Sequence, residues 1–250
     1  MIHLYAESFA PWCEKARWAL DHHGMPYRFV EHVPMIGEPA LRLAARRPFG
    51  HVTIPLLLDG AEALMGSFEI ARRAERDGRG APLFPPEREV EIAAWNERSD
   101  LVMTSGRAML LPRMLQSPEA LAEQLPPFVP GPLRPALRGL ASTGVRYLQR
   151  KYDIRPGEEA RHEDHSRTGL DALRAALSGG RRHLLGEGLS YADIVMAASL
   201  QFVLPVADRY ISLGPATRAV WTNPTLAHEY ADLVAWRDAL YREHRGRDAV

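Results

Sequence analysis

The run Ser8-Phe9-Ala10-Pro11-Trp12-Cys13-Glu14-Lys15-Ala16-Arg17-Trp18-Ala19-Leu20 follows directly on the apolar stretch Ile2 to Ala6, and no other part of the chain constrains the fold as much. The apolar stretch reads as a first strand. Pro11 suits the first turn of a helix, where its missing N–H has no intrahelical use, and Trp12, Ala16 and Leu20 recur at helical spacing. A strand running into a helix through a short loop puts Cys13 in the first helical turn. Backbone N–H groups there have no intrahelical acceptor and the helix dipole favours negative charge. A thiolate at this place, the protein's own or a ligand's, is therefore stabilised.

The punctuation downstream continues the pattern. Gly24 ends the first helix, with Pro26 just beyond. Tyr27–Val30 reads as a second strand, Glu38–Arg46 as a helix, and Ile54–Leu58 as a third strand. Asp59-Gly60 is a hairpin signal, Ala63–Met65 is the returning strand, and Ser67 opens a helix to about Arg76. The order β-α-β-α-β-β-α predicts a small α/β domain. Gly78, Gly80, Pro82, Pro85 and Pro86 then make a linker, and the remainder reads as all-helical. Helical patterns cover Val90–Leu115, interrupted by Gly106 and Pro112, then Leu137–Tyr152, Ala160–Leu177, Tyr191–Val203 and Thr225–His244. The Pro-rich stretch Pro118–Pro135 reads as a loop. Ser190-x-x-Asp193 is a variant capping box, a folding signal rather than a catalytic one.

Composition narrows the function classes. The 31 Lys and Arg balance 31 Asp and Glu, so no basic surplus argues for nucleic acid or an anionic membrane. One cysteine allows no internal disulfide. The longest apolar stretch, Ile194 to Ala207, is broken by Ser199, Gln201 and Pro205 and is too short to span a bilayer. The start of the chain lacks the basic and apolar regions of a signal peptide, so a cytoplasmic location is expected.

These ordered features together resemble the glutathione transferases. The resemblance rests on the strand-loop-helix with Pro11, Cys13, Arg17 and Leu20, on Gly24-Met25-Pro26-Tyr27, on Ile54-Pro55, on Ser67 and on Ser190-x-x-Asp193. It implies an α/β thioredoxin-like glutathione-binding domain over 1–77, an all-α helical domain over 88–250, and a homodimer. The expected activity is conjugation of the glutathione thiolate to a small electrophilic molecule. The resemblance makes Pro55 cis, has the Ile54 backbone pair with the cysteinyl part of glutathione, and gives the γ-glutamyl carboxylate to Ser67. Free helix N–H groups beside a hydroxyl suit an anion in any case. The acidic residue common before this Ser is Gly66 here, so that position can contribute only backbone.

The thiol-activating group is left open by the residues. Relatives often carry Ser or Cys before the Pro of the loop, where this chain has Ala10. Cys13 could exchange with glutathione as a reactive thiol, the N–H groups of Trp12 and Cys13 with the Ser8 hydroxyl could hold a glutathione thiolate, or Tyr5 could donate its phenol. The second is preferred. Cys13 is equally readable as a small buried hydrophobe, and the face taken by Tyr5 turns on one residue of register. A glutathione-dependent thiol–disulfide reductase using Cys13 and a non-catalytic glutathione-fold binding module are the alternative functions. Trp12, Met103 and Arg107 are the candidates to face the electrophile. The His162-Glu163-Asp164-His165 cluster and His22-His23 read as solvated surface, so no metal site is expected.

Overall fold

The computed structural model describes residues 1–126 and 129–246. It begins with β1 (Ile2–Ala6), α1 (Pro11–His22), β2 (Tyr27–Glu31) and α2 (Glu38–Ala44), followed by the hairpin β3 (Leu56–Asp59) and β4 (Glu62–Met65) and by α3 (Ser67–Asp77). The sheet order is β2-β1-β3-β4, with β1 and β2 parallel and the other pairs antiparallel. A parallel pair needs a crossover, which α1 supplies. Gly24 and Gly60 both lie at positive φ, +62° and +60°, where the helix ends and the hairpin turns.

Register settles which side each β1 residue serves. Leu4, opposite Phe29 and Leu57, and its neighbour Ala6 are fully buried in the main core beneath α1 and α3. Tyr5, opposite Val30 and Leu56, packs on the other face with Leu41, Val52 and Leu56, against α2.

Beyond α3 the described residues form only helices and loops: α4 (Glu89–Leu115), α5 (Pro118–Glu123), α6 (Arg138–Lys151), α7 (Glu159–Ala176), α8 (Tyr191–Ser199), α9 (Pro215–Trp221), α10 (Pro224–Glu229) and α11 (Ala231–Leu240). The fold is thus a small mixed four-stranded sheet with helices, followed by a helical domain. All nine residues of α8 are buried, and it packs on both α1 and α4. The Ser190–Asp193 cap forms as expected. The Asp193 carboxylate accepts from the Ser190 N–H at 2.8 Å, and its other oxygen accepts from the Leu184 N–H at 2.8 Å.

Several expectations are corrected. Gly106 and Pro112 do not interrupt α4, which runs unbroken through both. Gly106 is there because a Cβ would come within 2.4 Å of the Phe202 Cβ. The Pro118–Pro135 stretch contains α5, capped by the Ser117 hydroxyl accepting from the Ala120 N–H at 3.2 Å, and a short 3-10 turn, Gly131–Leu133. Residues 127 and 128 of that stretch, and 247–250 of the expected helical domain, lie outside the described residues. The expected single helix over Thr225–His244 is split at Tyr230 into α10 and α11, and α9 was not foreseen. The α8 helix ends at Ser199 and continues as a 3-10 turn, Leu200–Phe202. His23 is buried, 2.9 Å from a Glu75 oxygen, rather than on the surface.

Helix α1 departs most from amphipathic expectation, because the helical half covers its outer face. Glu14, Lys15 and Arg17 are charges within one turn of the helix, and all are at most 1% exposed. Each is paired, as buried charge requires. Arg245 Nε donates to Glu14 Oε1 at 2.6 Å and its Nη1 to Asp21 Oδ2 at 2.8 Å. Lys15 Nζ donates to Ser99 Oγ at 3.2 Å and to Asp100 Oδ1 at 3.0 Å. Arg17 lies over the Phe29 ring and donates to the Ser8 carbonyl at 3.1 Å.

Candidate functional site

The end of β1, the opening of α1, the segment before β3 and the opening of α3 lie at the end of the sheet where β1 finishes and the antiparallel β3 begins. The Ile54–Pro55 peptide bond is cis. The Gly66 N–H donates to the Pro55 carbonyl at 3.1 Å, which ties the start of α3 to that segment. Gly66, at φ +89°, is the N-cap of α3, and Ser67 is its first helical residue. No side chain caps α3, and none caps α1, whose N-cap is Ala10. Both helices therefore open on backbone donors alone.

Two serines stand at these openings, Ser67 at α3 and Ser8 before α1. Ser67 does not cap α3. It is buried, and its hydroxyl neighbours the buried phenol of Tyr191, which burial holds well above the usual tyrosine range. Ser8 turns to a carboxylate: its N–H donates to Glu31 Oε1 at 3.1 Å. Burial raises the Glu31 carboxyl, against the opposing pull of the Ser8 N–H and hydroxyl.

Cys13 is 1% exposed and faces the core, with its sulfur accepting from the Glu7 N–H at 3.4 Å. Burial pushes the thiol well above its ordinary range, and the charge of Glu7 adds to the effect. Desolvation thus outweighs the helix opening that was expected to favour a thiolate on this residue. Trp12 donates its indole N–H to Asp100 Oδ1 at 3.1 Å and meets Phe202 edge-on at 6.0 Å. Arg107 lies over the Trp12 ring at 4.6 Å and over the Tyr152 ring at 3.5 Å. Met103, expected to face the electrophile, is instead wholly buried in the helical core.

Beside the Ile54–Pro55 bond lies a narrow cavity of about 20 Å³, room for little more than one water molecule. Ile54 lines it, together with Glu7, His32, Glu38, Lys151 and Tyr152. The helical half closes it: Lys151 Nζ, at the end of α6, donates to Glu38 Oε1 at 2.7 Å, and the Tyr147 hydroxyl reaches the same oxygen at 3.3 Å. Burial alone would raise Glu38, but the Lys151 bond and charge outweigh it and hold the carboxyl below its usual range.

Glu7 is the residue the sequence reading passed over. Burial pushes its carboxyl up to about 8, and Glu31 and Glu38 add to the rise while Lys151 and Arg107 oppose it. The available signal was its position, directly after β1 in the loop already singled out. Charged residues at strand ends are so common that position alone does not select it.

The comparisons with known proteins agree with this architecture. The family model described as glutathione S-transferase, N-terminal domain, matches residues 4–82, and the one described as glutathione S-transferase, C-terminal domain, matches residues 156–239. Comparison with curated proteins returned no match. Among solved structures, the glutathione transferase GSTFuA2 from Phanerochaete chrysosporium is 19% identical, with a TM-score of 0.66 over 99% of each chain. A glutathione S-transferase from Methylobacillus flagellatus with glutathione bound is 16% identical, with a TM-score of 0.63 over 97% of this chain and 95% of the other. The beta-etherase LigF from a Sphingobium strain is 20% identical, with a TM-score of 0.59 over 96% of this chain and 94% of the other. At such identities these likenesses concern the fold alone. With both family domains matched in order along the same polypeptide, the chain belongs to the glutathione S-transferase superfamily.

Proposed function

We propose that this protein is a glutathione-dependent transferase that joins the glutathione thiolate to a small electrophile. The observation that carries the reading is the convergence of two backbone-only helix openings, those of α1 and α3, on the cis Ile54–Pro55 segment. Oriented N–H donors at a helix start suit both a carboxylate and a thiolate. In this reading residues 1–77 bind glutathione and residues 88–250 supply the electrophile side. The γ-glutamyl carboxylate sits at the opening of α3 beside Gly66 and Ser67, held by the Ser67 N–H and the helix-opening N–H groups after it, since the Gly66 N–H is given to the Pro55 carbonyl. The Ile54 backbone pairs with the cysteinyl unit. The sulfur lies beside the Ser8–Cys13 loop, where the N–H groups of Trp12 and Cys13 stabilise its charge. The cavity admits little more than a water, so the tripeptide lies across its mouth with only the thiol end directed inward. The Trp12 and Arg107 pair forms the adjoining wall.

The reductase reading is weaker, because a buried Cys13 with a raised thiol is a poor nucleophile. A cytoplasmic homodimer fits the family and the exposed apolar side chains Leu43 and Phe49, on and after α2. Among the described residues no helix is long and apolar enough to cross a membrane.

The test is turnover on a panel of aryl halides, epoxides and disulfides by the wild-type protein and Cys13→Ser. Conjugation that survives in Cys13→Ser supports the transferase. Disulfide reduction that vanishes with Cys13 supports the reductase. Retention on immobilised glutathione with no turnover supports a binding module.

A further inference from the structure

We propose that Glu7 is the proton acceptor for the glutathione thiol, taking the place of the side chain that Ala10 lacks. The inference rests on the glutathione reading above and adds a catalytic residue to it. Its basis is geometric. Glu7 follows β1 directly, and its own N–H is held on the Cys13 sulfur at 3.4 Å, which fixes its backbone at the opening of α1. Its side chain lines the same cavity as Ile54, the residue expected to align the cysteinyl unit.

The surroundings are arranged for one mobile negative charge. Glu31 from β2 and Glu38 from α2 face Glu7 as acids. Arg107 from α4 and Lys151 from α6 face it as cations, and His32 after β2 shares the cavity. Cys13 of α1 stays a thiol, so it does not compete for the proton. Glu38 is already paired with Lys151, and Glu31 is engaged by Ser8. Glu7 is the cavity-lining carboxyl without such a hydrogen-bonded partner among the described contacts.

The step balances simply. The S–H bond of glutathione breaks, its proton passes to a Glu7 carboxylate oxygen, and the electron pair stays on sulfur. The step runs from the ionised fraction of Glu7, a minority at neutral pH that grows toward pH 8; in that fraction one negative charge occupies the site before and after, first on Glu7 and then on sulfur, within reach of the loop N–H groups and of Arg107. The neutral carboxylic acid can then donate a hydrogen bond to the thiolate. A base that titrates near 8 is well matched to a thiol whose ordinary value is about 8.5. A carboxylate of ordinary strength would leave the proton on sulfur almost entirely.

The test uses the full-length protein with glutathione and with S-methylglutathione, which has no thiol proton. The ultraviolet absorbance of the bound thiolate is followed against pH in wild type, Glu7→Gln and Glu7→Asp, with circular dichroism on each. In wild type the bound thiol ionises well below its free value. In Glu7→Gln that midpoint moves back up by at least a unit and the conjugation rate at neutral pH falls roughly 10²-fold or more, while S-methylglutathione binds as before. Glu7→Asp recovers part of the shift. An unchanged thiolate midpoint in a folded Glu7→Gln overturns the proposal and leaves the glutathione reading intact. Failure of the wild type to bind S-methylglutathione takes down both.

Discussion

Arg245 makes the buried charges of α1 tolerable, and its removal has a calculable cost. Its guanidinium contacts both Glu14 oxygens, at 2.6 and 3.3 Å, and Asp21 Oδ2 at 2.8 Å, and it lies 5.9 Å from the Trp18 ring centre. Arg245 is 4% exposed and Glu14 1%. Replacing Arg245 by Ala leaves Glu14 with only Arg17, whose nearest nitrogen is 3.7 Å away. Breaking a buried ion pair from one side costs about 3–5 kcal/mol, because the remaining charge is stranded out of water. The Arg17 contact places the expected loss near the lower end, about 3 kcal/mol. For a chain of this length that lowers Tm by roughly 6–12 °C. The assay is urea and thermal unfolding followed by tryptophan fluorescence, to which Trp18, edge-on to Tyr241 with ring centres 4.5 Å apart, contributes directly. The double variant Glu14→Leu with Arg245→Met removes the charge stranded on Glu14 and should recover part of the loss, since apolar replacements of buried pairs are often neutral, while Asp21, the other carboxylate on Arg245, keeps its charge. A loss below about 1 kcal/mol in Arg245→Ala, or a double variant no better than the single, refutes the reasoning.

Two other outcomes follow from the same coordinates. Gly106→Ala gains about 1 kcal/mol of helix propensity, but its Cβ would meet the Phe202 Cβ at 2.4 Å and Cγ at 2.5 Å; overpacking of about 1–3 kcal/mol should win, so a variant more stable than wild type in urea would show that α4 and Phe202 separate freely. Glu7 gives stability a pH signature. Its folded value, about 8, lies above the unfolded 4.5, so the folded state holds the extra proton between those limits and burial of the charge weighs against folding as pH rises through 8. Glu7→Gln should therefore be more stable than wild type by a few kcal/mol at pH 9 and lose that advantage toward pH 4.5, and parallel stability curves across that range would contradict the assignment.

Much of the first half was readable because its turns are chemically marked. Pro11, Gly24 and Asp59-Gly60 each fix a local conformation there, as the Ser190–Asp193 box does in the helical half, and each lies where local rules put it. The site was only half readable. Ile54, Pro55 and the α3 opening depend on short-range chemistry and could be named. Glu7, Glu38 and Lys151 could not, because they meet only when α6 folds back on α2, with Lys151 and Glu38 113 positions apart in sequence. Long-range packing likewise hid the burial of His23 against Glu75 of α3 and the Glu14–Arg245 pair, whose members come from opposite ends of the chain. Helix α5 was obscured by prolines around it, although Ser117 before Pro118 is a good start signal in hindsight.

The account stands on a glutathione molecule lying across the openings of α1 and α3, and a crystal structure of the protein soaked with glutathione tests that directly. The expected complex has a γ-glutamyl carboxylate on the Ser67 N–H and the N–H groups that follow it at the opening of α3, the cysteinyl amide against Ile54, and a sulfur between the Trp12 N–H and the Glu7 carboxyl. Glutathione bound elsewhere, or with its sulfur turned away from the cavity mouth, would contradict it.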